Sequence, residues 1–134
     1  PNLKPRNMPQ ITLLFAYAAA RALQIRYGLK IIIKWPNDLY CCNRKLGGIL
    51  VEPENIKDNL YVNLGMGLNV NLASKHLKPY EDTSTSISVQ LGHSVHLETV
   101  LASILTQMEP MYSQFITNND FAFWFKQIEK ILIY

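Results

Sequence analysis

The chain has 134 residues, 49% hydrophobic and 17% charged, a composition that fits one globular domain long enough to bury a core. Its net charge of +3 is not gathered into any basic segment, which argues against a nucleic-acid surface and suits a small anionic ligand better. No apolar run approaches the roughly 18 residues of a membrane span, and the first ten residues resemble neither a signal nor a transit peptide, so a cytoplasmic, non-membrane setting is expected.

Pro1, Pro5 and Pro9 predict an extended start that gives way to a helix at Pro9, where a missing N–H costs nothing. Ile11, Leu14, Phe15, Ala18, Ala22 and Ile25 then recur at helical spacing, and Gly28 is placed to end that helix. Leu29 to Lys34 reads as a strand whose run of three isoleucines suggests burial on both faces. Cys41 and Cys42 are adjacent. Neighbours in a strand point to opposite faces, so a disulfide between them would be strained, and reduced thiols of an intracellular protein are expected.

Two further strands, Leu39 to Cys42 and Leu46 to Glu52, are expected around a turn at Asn43-Arg44-Lys45, followed by a polar connection from Pro53 and a fourth strand from Leu60 to Asn69. Thr85 and Ser86 suit the cap of a short helix stopped by Gly92. Leu97, Val100, Leu101, Ile104, Leu105 and Met108 carry the next helix, which Pro110 should kink or break. A final helix runs from Phe121 to Leu132, its aromatic residues spaced for core packing. Helix, strands, then helices describe an α+β domain: a mixed β-sheet of up to four strands with helices packed mainly on one face.

The chemistry concentrates in the middle. Lys34 ends a strand, Pro36 stops that strand's ladder, and Asn37-Asp38 is a turn pair whose side chains can face a cleft. Taken singly, these residues are equally a simple turn beside a solvated lysine. Lys45 stands before Gly47-Gly48, where a ligand could approach the backbone and meet a compact cation, or where a hairpin merely carries a glycine bulge. Gly65-Met66-Gly67 lacks the third glycine and the following helix of a dinucleotide fingerprint. Its functional reading is a strand on which a flat ligand can lie, with Asn69 as a polar anchor. His76, His93 and His96 do not complete a zinc pattern.

Four motifs in order, Lys34-Trp35-Pro36-Asn37-Asp38, Arg44 to Glu52, Gly65 to Asn71, and Thr85-Ser86-Ile87, closely resemble the catalytic domain of biotin protein ligases from about Leu3 onward. The resemblance implies that biotin is activated with ATP to biotinyl-AMP and transferred to a lysine on the biotin carrier domain of a carboxylase. It implies Lys45 and Asp38 as catalytic residues, and Lys45, Gly48, Ile49, Gly65 and Gly67 as biotin-binding. Lys34, Asn37, Asp38 and Asn69 would serve ATP, with Asp38 able to hold Mg2+. Residues 1–134 would then be the later part of a catalytic domain. The family's upstream glycine- and arginine-rich loop and its following small β-barrel have no counterpart in these residues, and the isolated chain is expected to have little or no ligase activity. A homodimer through sheet edges would also be in keeping with the family. A lipoate-type ligase, or a non-catalytic remnant or interaction module of the same fold, stays open as an alternative.

Overall fold

The computed structural model describes residues 7–56, 59–80, 82–118 and 121–134. The proline-rich start and Lys57-Asp58, in the predicted polar connection, lie outside them. Helix α1, Met8–Tyr27, begins with Pro9 in its first turn and ends at Gly28, whose φ of 70° is left-handed and whose N–H donates to the Gln24 carbonyl at 2.9 Å. Ile11, Leu14, Phe15, Ala18 and Ala22 are buried as expected, but Ile25 is 60% exposed. Leu13, Ala16, Ala19, Ala20 and Leu23 are buried as well, because α1 is covered on two sides, by the sheet and by a later helix. Its alanines permit that close double packing.

Strand β1, Ile31–Lys34, pairs antiparallel with β2, Asp38–Cys41, which pairs antiparallel with β3, Arg44–Ile56. The expectation of burial on both faces of β1 does not hold. Ile31 and Ile33 face the helix and are buried, whereas Ile32 is half-buried and Lys34 exposed, since no described helix covers the second face. The turn between β2 and β3 is Cys42-Asn43, with φ of 50° and 61°. Two residues of positive φ match the twist of a tight hairpin. The turn therefore falls earlier than predicted, and Arg44 and Lys45 belong to a strand.

β4, Asn59–Leu68, pairs antiparallel with β3 along its length, from Gly47 opposite Leu68 to Ile56 opposite Asn59. Most of the predicted polar connection is thus strand. Along β4, Leu60, Val62, Leu64, Met66 and Leu68 are half-buried against the core, while Tyr61, Asn63, Gly65 and Gly67 are exposed, the alternation of a sheet with one covered face. The two glycine motifs answer to different constraints. A Cβ on Gly47 would collide with the Gly67 carbonyl, whereas one on Gly67 would meet nothing within 4 Å.

Past β4, a short helix α2, Ser74–Leu77, leads into a 3-10 turn, and α3, Ile87–Leu91, follows. Ser86 caps α3 by accepting from the Val89 N–H at 3.1 Å. Helix α4, Leu97–Asn118, packs on α1 and runs through Pro110 without a break. Val100 and Ile104 before the proline and Met111 and Phe115 after it are buried, so packing on both sides holds the helix across the lost N–H bond. Of the leucines expected to carry it, Leu97, Leu101 and Leu105 are exposed.

The last predicted helix stops early. α5, Phe121–Ile128, passes through a 3-10 turn into β5, Leu132–Ile133, which pairs parallel with β1. This fifth strand makes the sheet mixed, in the order β4-β3-β2-β1-β5. Among the described residues no helix is long and apolar enough to cross a membrane.

Two stability predictions follow from this packing. Gly47→Ala forces a methyl group into the neighbouring strand's carbonyl and should cost about 1–3 kcal/mol, whereas Gly67→Ala should change stability by less than about 0.5 kcal/mol, both read from urea unfolding. Cys41 is buried and Cys42 exposed, both as free thiols. Burial pushes the Cys41 thiol from its ordinary 9.0 up to about 11, the Cys42 thiol adding to the rise and Arg44 opposing it. Between those values the unfolded chain has released a proton that the folded chain keeps, so raising the pH favours unfolding. Folding stability should fall from pH 9 towards pH 11, and Cys41→Val should flatten that fall relative to the parent chain.

Candidate active site

The registers align one row of residues across the whole sheet. Ile133 lies opposite Lys34, Lys34 opposite Asp38, Asp38 opposite Gly48, and Gly48 opposite Gly67. Residues directly opposite share a face, so the two charged candidates and two candidate glycines project from the side away from α1. Leu50 and Gly65, two positions further along β3 and β4, stand on the same face.

Lys45 joins them through an irregularity. Three positions before Gly48, it would point to the opposite face in a regular strand. The ladder shifts between Leu39 and Tyr40, however: Leu39 pairs with Gly47 while Tyr40 pairs with Lys45. The extra residue in β3 is a β-bulge, and it turns Lys45 to the side of Asp38 and Gly48. There the Lys45 ammonium lies 2.7 Å from Asp38 Oδ1, the lysine side chain 45% and the aspartate side chain 25% exposed. A Cβ on Gly48 would come within 2.9 Å of that same oxygen, so the glycine leaves room for the pair.

The backbone at the bulge is clamped from a third direction. The Lys45 N–H donates to the Thr83 carbonyl at 2.7 Å, and the Lys45 carbonyl accepts from the Thr85 N–H at 2.8 Å. Thr85 and Ser86 are fully buried. Thr85 Oγ1 accepts from Gln90 Nε2 at 2.8 Å, and Ser86 Oγ donates to the Leu72 carbonyl at 2.7 Å. Asn69 ties the same segment to the start of β3: its N–H donates to the Leu46 carbonyl at 2.9 Å and its Nδ2 to the Thr85 carbonyl at 3.0 Å.

Two of the predicted site residues thus act as braces. The Asn69 amide holds Thr85, and Asn37 Nδ2 donates to the Ile49 carbonyl at 2.9 Å while the Ile49 N–H donates back to the Asn37 carbonyl at 2.9 Å. Ile49 itself is buried. Its register position faces the helix side, and it borders a cavity of about 280 Å³ beside Trp35 and Asn37. Lys34 remains on the open face, its Nζ 5.5 Å from the centre of the Tyr40 ring, within cation–π range.

Sequence reasoning missed the bulge, the Thr83–Thr85 clamp, Gln90 and Tyr40. Only the paired glycines hinted at the first. Among the described residues no three His, Cys, Asp or Glu side chains gather into a metal-binding group. What the arrangement offers is a mobile cation beside a carboxylate, over a strand floor with no side chains at Gly65 and Gly67. Such a surface admits a flat ligand and can neutralise an anionic group on it.

The model of the Biotin/lipoate A/B protein ligase family matches residues 1–69. The chain is 32% identical over 120 residues to the bifunctional ligase/repressor BirA of Bacillus spizizenii, covering 88% of this chain and 37% of that protein. A biotin protein ligase from Aquifex aeolicus superposes with a TM-score of 0.83 at 26% identity, covering 97% of this chain and 56% of that one. The same enzyme solved with biotin and ATP gives a TM-score of 0.77 at 26% identity over 98% of this chain and 56% of that one. LipL1 of P. falciparum, solved with lipoate, is more distant, at TM-score 0.54 and 17% identity over 75% of this chain and 31% of its own. The chain therefore spans little more than a third of the BirA protein and just over half of the Aquifex enzyme. Its fold is that of these ligases, and with more than half of its residues matched by the family model, the chain belongs to the biotin/lipoate A/B protein ligase family.

Proposed function

We propose that this chain supplies the later part of the catalytic domain of a biotin protein ligase, residues 1–134 forming one wall of a biotinyl-adenylate site. The observation that carries the reading is the bulge that sets Lys45 beside Asp38 over the open glycine floor. The Aquifex enzyme solved with biotin and ATP supports it.

In the proposed first step, a carboxylate oxygen of biotin attacks the α-phosphorus of ATP. The bond to the bridging oxygen breaks, and pyrophosphate leaves. In the second, the amine of a carrier-domain lysine attacks the carbonyl carbon of the mixed anhydride, losing a proton as AMP departs and the amide forms. Negative charge gathers around one centre in both steps, and a positioned cation is most effective where such charge develops. Lys45 fills that role. Its present partner, Asp38, is partly exposed, so the pair is weak, and an incoming carboxylate or phosphate can take over the ammonium. Asp38, once released, is a carboxylate placed to steer the incoming amine.

Gly48, Gly65 and Gly67 form the floor under biotin, with Ile49 bordering it from the core side. Lys34 contributes positive potential from the next strand, and Asn37 and Asn69 keep the two loops beside the nucleotide in place. Magnesium bound here would rest on Asp38 and on phosphate oxygens of the nucleotide, in keeping with its preference for few protein carboxylates, and would neutralise phosphate charge. A lipoate substrate is the competing reading within the family. Its support is weaker, because the lipoate-bound neighbour shares the fold alone at 17% identity.

In the native full-length context, Lys45→Ala should lower biotin-dependent pyrophosphate release by roughly a hundredfold or more, and Lys34→Ala by clearly less. Unchanged turnover in Lys45→Ala would sink the assignment. Faster pyrophosphate release with lipoate than with biotin would move the substrate to the competing reading.

A further inference from the structure

On the edge of the sheet away from β4, a recess of about 630 Å³ opens between α1, the start of β1, the Cys42-Asn43 turn and the 3-10 turn after α5. Its volume lies within the roughly 300–1,000 Å³ of small-molecule sites. Tyr17, Ile32 and Ile131 give it an apolar lining, and Arg21, Lys30 and Lys130 are its charged residues. Among the described residues no aspartate or glutamate lines it.

Those three cations equal in number the net excess of the whole chain, +3. Neither Arg21 nor Lys30 has an ion-pair partner among the described residues, and the Lys130 ammonium donates only to the neutral Gln127 side chain, at 2.9 Å. Glu129, beside Lys130 in sequence, is not part of the lining. The contrast with the cavity between α1 and α4 is direct: there Arg26 is accompanied by Glu98. Like charges brought together on a small protein raise the local potential and attract counter-ions of opposite sign, and an arginine among them offers a planar fork for a carboxylate or phosphate.

We infer that this recess is a second binding site, distinct from the adenylate wall, for a small amphipathic anion: a flat apolar body carrying a carboxylate or phosphate. The apolar body lies against Tyr17, Ile32 and Ile131, and the anionic head meets Arg21, Lys30 and Lys130. The site shares no residue with the row formed by Lys34, Asp38, Gly48 and Gly67, nor with Lys45, so it stands whether or not the chain takes part in biotin ligation.

Phenyl phosphate is a suitable probe, with inorganic phosphate and phenol as controls for head and body alone. Titrated into the 15N-labelled chain, it should shift the amides of residues 17–24, 30–32 and 127–131 along one saturating curve. Each control should bind more weakly. Arg21→Gln, Lys30→Gln and Lys130→Gln, all at exposed positions, should each weaken binding by roughly three- to tenfold, as loss of a charge-assisted contact does, and added salt should weaken it further. Shifts confined to Asp38, Lys45 and Gly65 to Asn69, affinity unchanged by all three substitutions, or no saturable binding by about 10 mM, a level weaker than even a millimolar site, would each overturn the proposal.

Discussion

The site depends on a single extra residue in β3. Side chains alternate along a strand, so Lys45 and Gly48 could not share a face of a regular β3, and the lysine nearest the glycine floor would be turned into the helix-side core. The shift between Leu39 and Tyr40 removes that conflict. A bulge leaves one backbone position without its ladder partner, here Leu46, whose carbonyl accepts from the Asn69 N–H, while the Thr83–Thr85 segment bonds the N–H and carbonyl of Lys45 beyond the end of β4. Asn69, Gln90 and the buried hydroxyls of Thr85 and Ser86 then hold that segment. An otherwise surface-exposed strand start becomes a rigid base for one long, mobile amine. The 2.7 Å contact with Asp38 does not account for the order, because a half-exposed pair of this kind contributes about 0–1 kcal/mol.

The two faces of the sheet divide the work of the fold. Toward α1, Ile31, Ile33, Leu39, Leu46 and Ile49 are buried and supply most of the apolar burial that stabilises the sheet. Toward the other side, the same strands present Lys34, Asp38, Gly48 and Gly67 in one row. Gly47 and Gly67 lie on neighbouring strands, yet the first is required by a carbonyl pressed against it while the second faces open space. A glycine the packing does not need, on a strand interior where it costs conformational entropy, is better explained by what must lie over it.

Much of this was legible in the chain. The prolines and Gly28 delimit α1, and Ser86 and Gly92 delimit α3, because each signal depends on neighbours in sequence. Lys45 could be singled out for its place before Gly47-Gly48. Its orientation could not, since a register shift is decided by the pairing of β2 with β3. β5 escaped notice for a similar reason: two residues are too few for a period, and Leu132 becomes a strand only by meeting Ile33 from far along the chain. Pro110 does not break α4 because propensity is local and the packing of Val100, Ile104, Met111 and Phe115 is not.

β1 links the two positively charged regions while keeping them apart. Its end, Lys34, is bordered by β2 on one side and by β5 on the other, and it feeds the row that leads to Asp38 and Gly48. Its beginning, at Ile31 and Ile32, lies outside the β5 register, and there the second recess opens. The length of β5 therefore sets the border. Extending it by two residues towards the start of β1 would cover the recess and leave the row through Lys34, Asp38 and Gly48 untouched. Anion binding at the sheet edge can thus change without altering the geometry that aims Lys45, because that geometry is fixed from the opposite neighbour, at the bulge between β2 and β3.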